Sequence, residues 1–550
     1  MAEFLHFSRD SRLYMEKDGR LWSIPVLDGF SFSQATNASE ITLNEMEDAS
    51  GRSRRGRKMF TDSLSAAEWS FSSYIRPFIS AGSKTSSNGQ ADTSAHHHAV
   101  EEALWVAMAG QNRYNANNTG KFYHGAAGGA ISGLDITSQD SSSPGYTVST
   151  TTTLAVPTAA ASGVGTGVTV AAGAGSNTDG TGAVITVTTN GSGVVTAVAV
   201  TERGTQFDTG NTITVDAEAI GGAASDDNVV LTVTSESLNS DATDMDINFY
   251  DSNRAALGTF NLYFVFSDRS AGRLLYKLQN AVVNEAAIDF DIDGIATINW
   301  SGMAGQIKEV ATGLGAGQLT AATTAPTATA AGALWVDTDD SDKLYISTGS
   351  GNSSWYANIS EGSTSTGNFI RNRLTNLTLA PEGDLAGGTG FVGTTTFDRD
   401  GDGTADDKYR ADYSVAITGG NVTISNNISY LTPEELGKVN QPIEHVTGTR
   451  SVTGSLTCYL ASSDAATNRS KNLFQDLVSD INTVINKFAI TLQVGGTDTT
   501  KPRFEIALPL AHLEIPSHSI EDVISLETNF HGLGSGVGEG DEVTLKYIGV

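Results

Sequence analysis

The chain has 550 residues, with 33 Lys and Arg against 62 Asp and Glu for a formal net charge of −29, one cysteine and 59 glycines. The lone Cys458 excludes a disulfide framework and a multi-cysteine zinc or iron–sulfur site, and an apolar content of 39% excludes general disorder. The acidic balance excludes sequence-specific binding to DNA, which needs clustered Lys and Arg to neutralise phosphates, but it leaves open passive contact with DNA in a channel that must not hold its cargo.

Near the start, Phe4 to Trp22 is broken by Arg9, Asp10, Arg12, Glu16, Lys17 and Asp18, so no signal peptide is read there. No apolar run approaches the roughly 18 residues needed to cross a bilayer, so no membrane insertion is expected and the chain is expected to be made in the cytoplasm. Trp69 to Ile75 reads as a strand, and Val100, Ala103, Leu104, Ala107 and Met108 then recur at helical spacing and predict an amphipathic helix. From Gly145 to Ser235 the composition shifts to Gly, Ala, Ser, Thr and Val, with Arg203 as its one basic residue. Runs such as Ala183 to Thr188 and Val194 to Val200, bounded by Gly and Asn or Asp, predict an inserted all-β module; a disordered linker would lack the recurrent β-branched residues. Phe260, Leu262, Phe264 and Phe266 alternate with residues expected to face outward, and Leu274, Tyr276 and Leu278 follow as a second strand. Ala316 to Ala333 reads as an Ala/Thr linker, and Leu334-Trp-Val-Asp, Lys343-Leu-Tyr-Ile and Trp355-Tyr356 predict a small aromatic hairpin that staples it without a recognition role.

The remainder repeats the first part. Gly454 to Leu460 matches Trp69 to Ile75, Phe474, Leu477, Val478, Ile481 and Ile485 form a second helical stripe, and Phe488, Ile490, Leu492 and Val494 followed by Phe504, Ile506 and Leu508 repeat the strand pair. Asn529-Phe-His-Gly is set against Asn299-Trp-Ser-Gly. The expected fold is mainly β: two tandem β-sandwich or barrel units, each flanked by an α-helix, plus the inserted module. The boundaries are 1–140 and 246–315 for the first unit, 141–245 for the insertion, 316–366 for the linker and hairpin, and 367–550 for the second unit.

Within this order, Leu21 to Ala35, Glu40 to Met46 and Glu68 to Phe71, and again Thr449 to Leu456 followed by an amphipathic helix and Phe488 to Leu492, resemble bacteriophage tail tube proteins. The resemblance implies two tail-tube-like domains, each a β-sandwich with a flanking helix, whose sheets join around a ring. Stacked rings would form a tube for DNA, in the virion of a phage whose host cytoplasm makes the protein. A duplicated chain would close a pseudo-hexameric ring with three copies. Its implied partners are other copies of itself, the tail terminator, the baseplate or tip, a sheath where one exists, and a genome that passes through the lumen without specific binding.

Two local features carry further expectations. Arg52, Arg54, Arg55, Arg57 and Lys58 lie in the long loop of the first unit, while Glu434, Glu435 and Glu444 occupy its counterpart in the second. Such loops reach toward the adjacent ring in tail tubes, so the opposed signs suggest an inter-ring contact; unmatched solvated loops are the alternative. Asp398, Asp400, Asp402, the Thr404 carbonyl and Asp406, with a turn-making Gly403, match the ligand spacing of a calcium loop, although Tyr409 stands where a bidentate Glu belongs and no flanking helices are evident. A polar surface turn is the alternative, and no cofactor is required. His96, His97 and His98 read as a solvated helix start, since consecutive helical histidines cannot converge on one ion, and Cys458 reads as a small core residue. No nucleophile elbow, P-loop or zincin motif is present, so an enzyme is not expected. The competing readings are a surface adhesin whose β module binds glycans and a tail-borne depolymerase.

Overall fold

The computed structural model describes residues 7–17, 19–40, 49–50, 58–79, 97–109, 114–115, 121–122, 131–139, 146–155, 168–171, 181–205, 211–223, 228–236, 245–249, 257–266, 274–360, 362–381, 384–385, 388–389, 412–434, 436, 439–462, 469–478, 486–498, 500–534 and 540–549. It is mainly β, as expected. The first copy contains Ser11–Lys17 (β1), Arg20–Ile24 (β2), Ser31–Glu40 (β3), Met59–Tyr74 (β4) and the helix Glu102–Ala109 (α1). Met245–Asn248 (β5), Phe260–Phe266 (β6), Leu274–Asp291 (β7), Thr297–Ala304 (β8) and Gln306–Glu309 (β9) complete it. The second copy contains Asn376–Pro381 (β10), Ile417–Ser425 (β11), Ser451–Tyr459 (β12) and the helix Ser470–Leu477 (α2). Phe488–Val494 (β13), Arg503–Leu513 (β14), Ser517–Ser519 (β15), Ser525–Leu533 (β16) and Thr544–Ile548 (β17) follow.

The duplication is visible in the strand pairing. In copy one, β6 pairs with β7 through a bulge, Phe260 facing Ala281 but Leu262 facing Leu278; in copy two, Phe488 faces Ala511 and Ile490 faces Leu508 across β13 and β14. Each bulge bends its long strand, so that one half pairs in an outer sheet and the other in a second sheet. The outer sheets run β2–β1–β6–β7–β9 and β10–β13–β14–β17–β5. The last pairing, β5 on β17, places a strand of the first copy on the sheet of the second.

The inner strands form one ladder across both copies, β3–β4–β8–β7–β11–β12–β16, with the end of β14 and β15 on the far side of β16. Trp69 pairs with Gly302, and Gly454 pairs with Phe530. If Trp69 corresponds to Gly454, Gly302 therefore corresponds to Phe530, and the closing motifs align two residues away from the expected match of Gly302 with Gly532. The period of two keeps the same faces inward, which is why the sequence did not expose the slip. Aromatic and glycine exchange strands between the copies, and each ring covers the glycine opposite: a Cβ at Gly302 would strike the Trp69 ring and the Val282 carbonyl, and one at Gly454 would strike the Phe530 ring and the Asn421 carbonyl.

Between the sheets lies one apolar core that includes Trp69, Trp300, Trp105, Phe488, Phe504 and Tyr547 from both copies. Helix α1 is buried on every side, unlike the one-faced stripe expected, because it is clasped by both copies: Trp105 packs against Trp300 of copy one (4.7 Å between centroids) and its Nε1 donates to the Tyr547 hydroxyl of copy two (2.6 Å). Helix α2 buries Leu473 and Leu477, while Val478, read as part of its apolar stripe, is exposed; Ile481 and Ile485 lie outside the described residues. His97 and His98 belong to a strand, His97–Ala99, paired with Pro77–Ile79, instead of a solvated helix start. His97 is buried and accepts from the Gly549 amide (2.6 Å), and His98 pairs with Glu102 (2.9 Å).

The insertion has its own core, including Ile185, Val187, Ile213, Val215 and Leu231, under a three-stranded and a four-stranded sheet. The four-stranded sheet takes in Ile131–Ser138, ten residues ahead of the expected boundary at 141. The segment 316–366 is more than a stapled linker. Leu319–Ala322 is already a strand, and Leu334, Val336, Leu344 and Ile346 pack on Tyr14, Tyr263, Val265 and Leu275 of the outer sheet. This explains why β6, expected to alternate, buries Tyr263 and Val265 as well as Leu262 and Phe264.

Candidate functional site

The feature with consequences beyond one chain is the seam where the copies join. There β7 pairs with β11, from Glu285 opposite Ser425 to Asp291 opposite Gly419, and buries Ile288 and Phe290. The pseudo-symmetry assigns equivalents to both sides. Ala281 corresponds to Ala511, and a second bulge falls at matching places, between Val283 and Glu285 opposite β8 and between Leu513 and Ser517 opposite β16, so Glu285 corresponds to Ile515 and Asp289 to Ser519. On the other side, Ser31 pairs with Ser70 as Asn421 pairs with Ser455, so β3 corresponds to β11.

Among the described residues, no strand pairs with the outer edge of β3 or with the edge running from Ile515 through Ser519. Both edges are exposed: β3 has no buried residue, β15 is exposed throughout, and Ile520, the equivalent of buried Phe290, is 79% exposed. Leu513 marks where this edge begins, because its amide and carbonyl are satisfied by the Asn486 side chain (3.0 and 2.6 Å). The ladder thus carries two unpaired edges, each presenting both N–H donors and C=O acceptors, that are the counterparts of the two sides of its own internal seam.

The face of the ladder turned away from the core is polar and one-signed. Ser72 donates to Asn299 (2.6 Å), Asn299 to Asp289 (2.8 Å), and Asn529 to Glu514 (2.8 Å), making a row of side chains across both copies. The described inner strands hold Glu40, Asp62, Glu68, Glu285, Asp289, Asp291 and Glu527, Glu514 follows directly on β14, and neither Lys nor Arg occurs in β3, β4, β8, β11, β12, β15, β16 or the inner half of β7. The Glu514 carboxyl is held below its ordinary range by hydrogen bonds from Asn529 and His531.

At one end of the ladder two arms project. β3 and β4 continue past β8 as a two-stranded ribbon to Glu40 opposite Met59, and residues 426–450 carry a second ribbon, Ser429–Leu431 against Glu444–Val446. They touch where the Leu64 amide donates to the Asn440 carbonyl (2.8 Å) and the Asn440 amide to that of Asp62 (3.2 Å). Both expose apolar side chains, including Met59, Phe60, Leu436 and Ile443.

The sequence-predicted charges fall here. Arg52, Arg54, Arg55, Arg57 and Glu435 lie outside the described residues. Lys58 is exposed, its Nζ 5.2 Å from the Phe60 ring centroid; Glu434 lines a groove between the arms with Asp62 and Leu436; Glu444 is exposed opposite Leu431. The loops of opposite sign therefore leave the same end of the molecule. Asp398, Asp400, Asp402, Thr404 and Asp406 lie outside the described residues, and among those described no group of three or more metal-binding side chains is present. Cys458 is buried, and burial pushes its thiol up to about 11, in keeping with a core residue. No helix among the described residues is long and apolar enough to cross a membrane.

The seam equivalents escaped the sequence reading because an edge strand differs from a paired one only in lacking a neighbour. The one available signal was the exposed-looking Ser31-Phe-Ser-Gln-Ala-Thr-Asn-Ala-Ser against the richer β-branched run of β11.

No family model matches the chain. Over 307 residues it is 26% identical to Tail tube protein pb6 of Escherichia phage T5, a match that takes in 56% of this chain and 51% of that protein. The chain thus spans about half the length of the curated relative it matches. This similarity and the mainly β fold bear out the resemblance to phage tail tube proteins.

Proposed function

We propose that this chain is a structural subunit of a phage tail tube, assembled into the virion tail and acting without enzymatic chemistry. The observation that carries the reading is the seam between β7 and β11, together with its two unpaired equivalents. An unpaired edge is a template for another strand, and symmetric closure removes it. Edge residues Ile515, Ser517 and Ser519 of one copy pair with Ala35, Ser33 and Ser31 of the next, in the register of the internal seam. Each chain supplies two sheet units, so three chains close a pseudo-hexameric ring.

The Lys- and Arg-free face lines the lumen. Its carboxylates repel phosphate, which lets DNA pass without binding. Rings stack head to tail, with the arms of one ring against the far end of the next. Arg52, Arg54, Arg55, Arg57, Lys58, Glu434, Glu435 and Glu444 belong to this inter-ring contact; because both loops leave the same end, they meet the opposite end of a neighbouring copy and not each other. The tube ends take the terminator and the baseplate or tip, and the outer surface takes a sheath in a contractile tail. Asp398, Asp400, Asp402, Thr404 and Asp406 are proposed to hold Ca²⁺.

The ring contact is tested with the double variant Ser33→Cys and Ser517→Cys. Directly opposed antiparallel residues have Cα atoms about 4.5–5.5 Å apart, within disulfide range. Oxidation of the assembled protein is expected to give closed covalent trimers. Monomers after oxidation, or covalent hexamers, would refute the arrangement.

A further inference from the structure

Opposite the arms, the inner ladder ends at the turn between β7 and β8, and a second segment packs on that turn. The Ala296 amide donates to the Ile370 carbonyl (2.9 Å), the Asn372 amide to that of Gly294 (3.0 Å), and Arg373 reaches Asp293 (3.4 Å). Between this segment and the tip of the β13–β14 hairpin lies an open cleft of about 700 Å³. Phe369, Ile370, Leu374 and Pro502 give it apolar walls, and Arg371, Arg373 and Lys501 give it positive charge against the lining carboxylate of Asp498 and the Asp293 that Arg373 pairs with. Leu374 is 60% exposed there, and the hairpin tip closes in because Gly495 and Gly496 adopt φ of 99° and 94°, Gly496 lying against the Leu374 carbonyl. A cationic, half-apolar cleft on a chain of net charge −29 calls for an occupant of opposite sign.

We infer that this cleft is the receiving site for the 429–446 arm of a second copy in the adjacent ring. The inference rests on the tube reading and names the partner surface that the reading leaves open. Three observations select this occupant. The arm carries three glutamates against one lysine, and its described Glu434 and Glu444 are exposed. It also presents apolar Leu436 and Ile443, with Leu436 fully exposed, which matches the walls of the cleft. Finally, arm and cleft lie at opposite ends of the same strands: β11 begins at Ile417, beside Arg373 and Thr375 in a small adjoining pocket, and ends at Ser425, four residues before the arm. A translation along the strand axis therefore brings one onto the other. Such a contact joins two different surfaces and leaves both free at the tube ends, so it propagates without closing.

The test compares assembly of the concentrated full chain with that of the triple variant Arg371→Glu, Arg373→Glu, Lys501→Glu by electron microscopy and sedimentation. The substituted side chains are exposed, and unchanged melting is the control for folding. The wild-type chain is expected to form tubes and the variant single rings, with mean stack height reduced at least tenfold. Adding Glu434→Lys and Glu444→Lys to the variant is expected to restore stacking. Tubes of normal length from the triple variant would overturn the contact while leaving the ring reading intact. A charge swap that fails to restore stacking would also overturn it, since the loss would not then come from pairing. A wild-type chain that forms no rings at any concentration would overturn the tube reading itself, and this contact with it.

Discussion

Glu101 provides a pH-dependent test of how the two copies are locked together. Its side chain is buried, and Oε1 accepts from the Tyr547 hydroxyl of the other copy (2.8 Å) and from the Arg76 amide (3.4 Å). Burial raises the carboxyl from 4.5 to about 7, and the Tyr547 and Arg76 hydrogen bonds and the Arg76 charge offset only part of this. A carboxyl whose folded value exceeds its unfolded one binds its proton more tightly in the native state. Native stability is therefore undiminished below the unfolded value, falls as pH rises through the interval between the two, and stays lowered above the folded value. The gap, at about 1.4 kcal/mol per pH unit, comes to about 3 kcal/mol, of which about 2–3 kcal/mol is lost between pH 5 and pH 8. Glu101→Gln keeps an acceptor for Tyr547 and removes the titration. A constant offset from the new amide cancels when the two pH values are compared. Thermal melts followed by near-ultraviolet circular dichroism, which reports the Trp105–Trp300 pair, should show wild type losing about 3 °C more than the variant between pH 5 and pH 8. Parallel pH profiles for the two proteins would refute the argument.

Three other perturbations are testable, two from the packing and one from the calcium-loop spacing. Gly302→Ala would drive a methyl into the Val282 carbonyl and the Trp69 ring, and overpacking of this kind should cost about 1–3 kcal/mol, read as a lower melting temperature; an unchanged melt would contradict the register of Trp69 against Gly302. The Cys458 thiol should react with a thiol reagent at pH 8 at least about 100-fold more slowly in the native protein than in denaturant, because it is buried and its pKa is pushed up to about 11; rapid native labelling would place it at the surface. Millimolar Ca²⁺ should raise the melting temperature in a way that Asp400→Asn with Asp402→Asn abolishes, and an identical response of both proteins would remove the calcium assignment.

What the sequence revealed was what repeats at short range. The alternation of Phe488, Ile490, Leu492 and Val494 survives intact in the structure, and so does the order of elements in the two copies. Features set by contacts between distant segments were not legible. Helix α1 reads as amphipathic because its other flank is covered by residues far along the chain, Trp300, Phe504 and Tyr547, and the strand at His97 depends on Pro77–Ile79 for its pairing. The two-residue slip at Gly302 was invisible because it leaves every side chain on the correct face. The charged loops were found by sign alone, but that they leave the same end depends on the antiparallel course of β3, β4, β11 and β12. The cleft joins residues near 371 and near 498, which no local pattern connects.

The central claim is that the internal seam is repeated between chains. Electron microscopy of the concentrated protein, with averaging of end-on views, tests it most directly. The account predicts hollow rings of three chains with six inner lobes, in which the edge from Ile515 to Ser519 meets β3 of the next copy. Rings of six chains, or rings joined through other surfaces while these edges stay open, would contradict it.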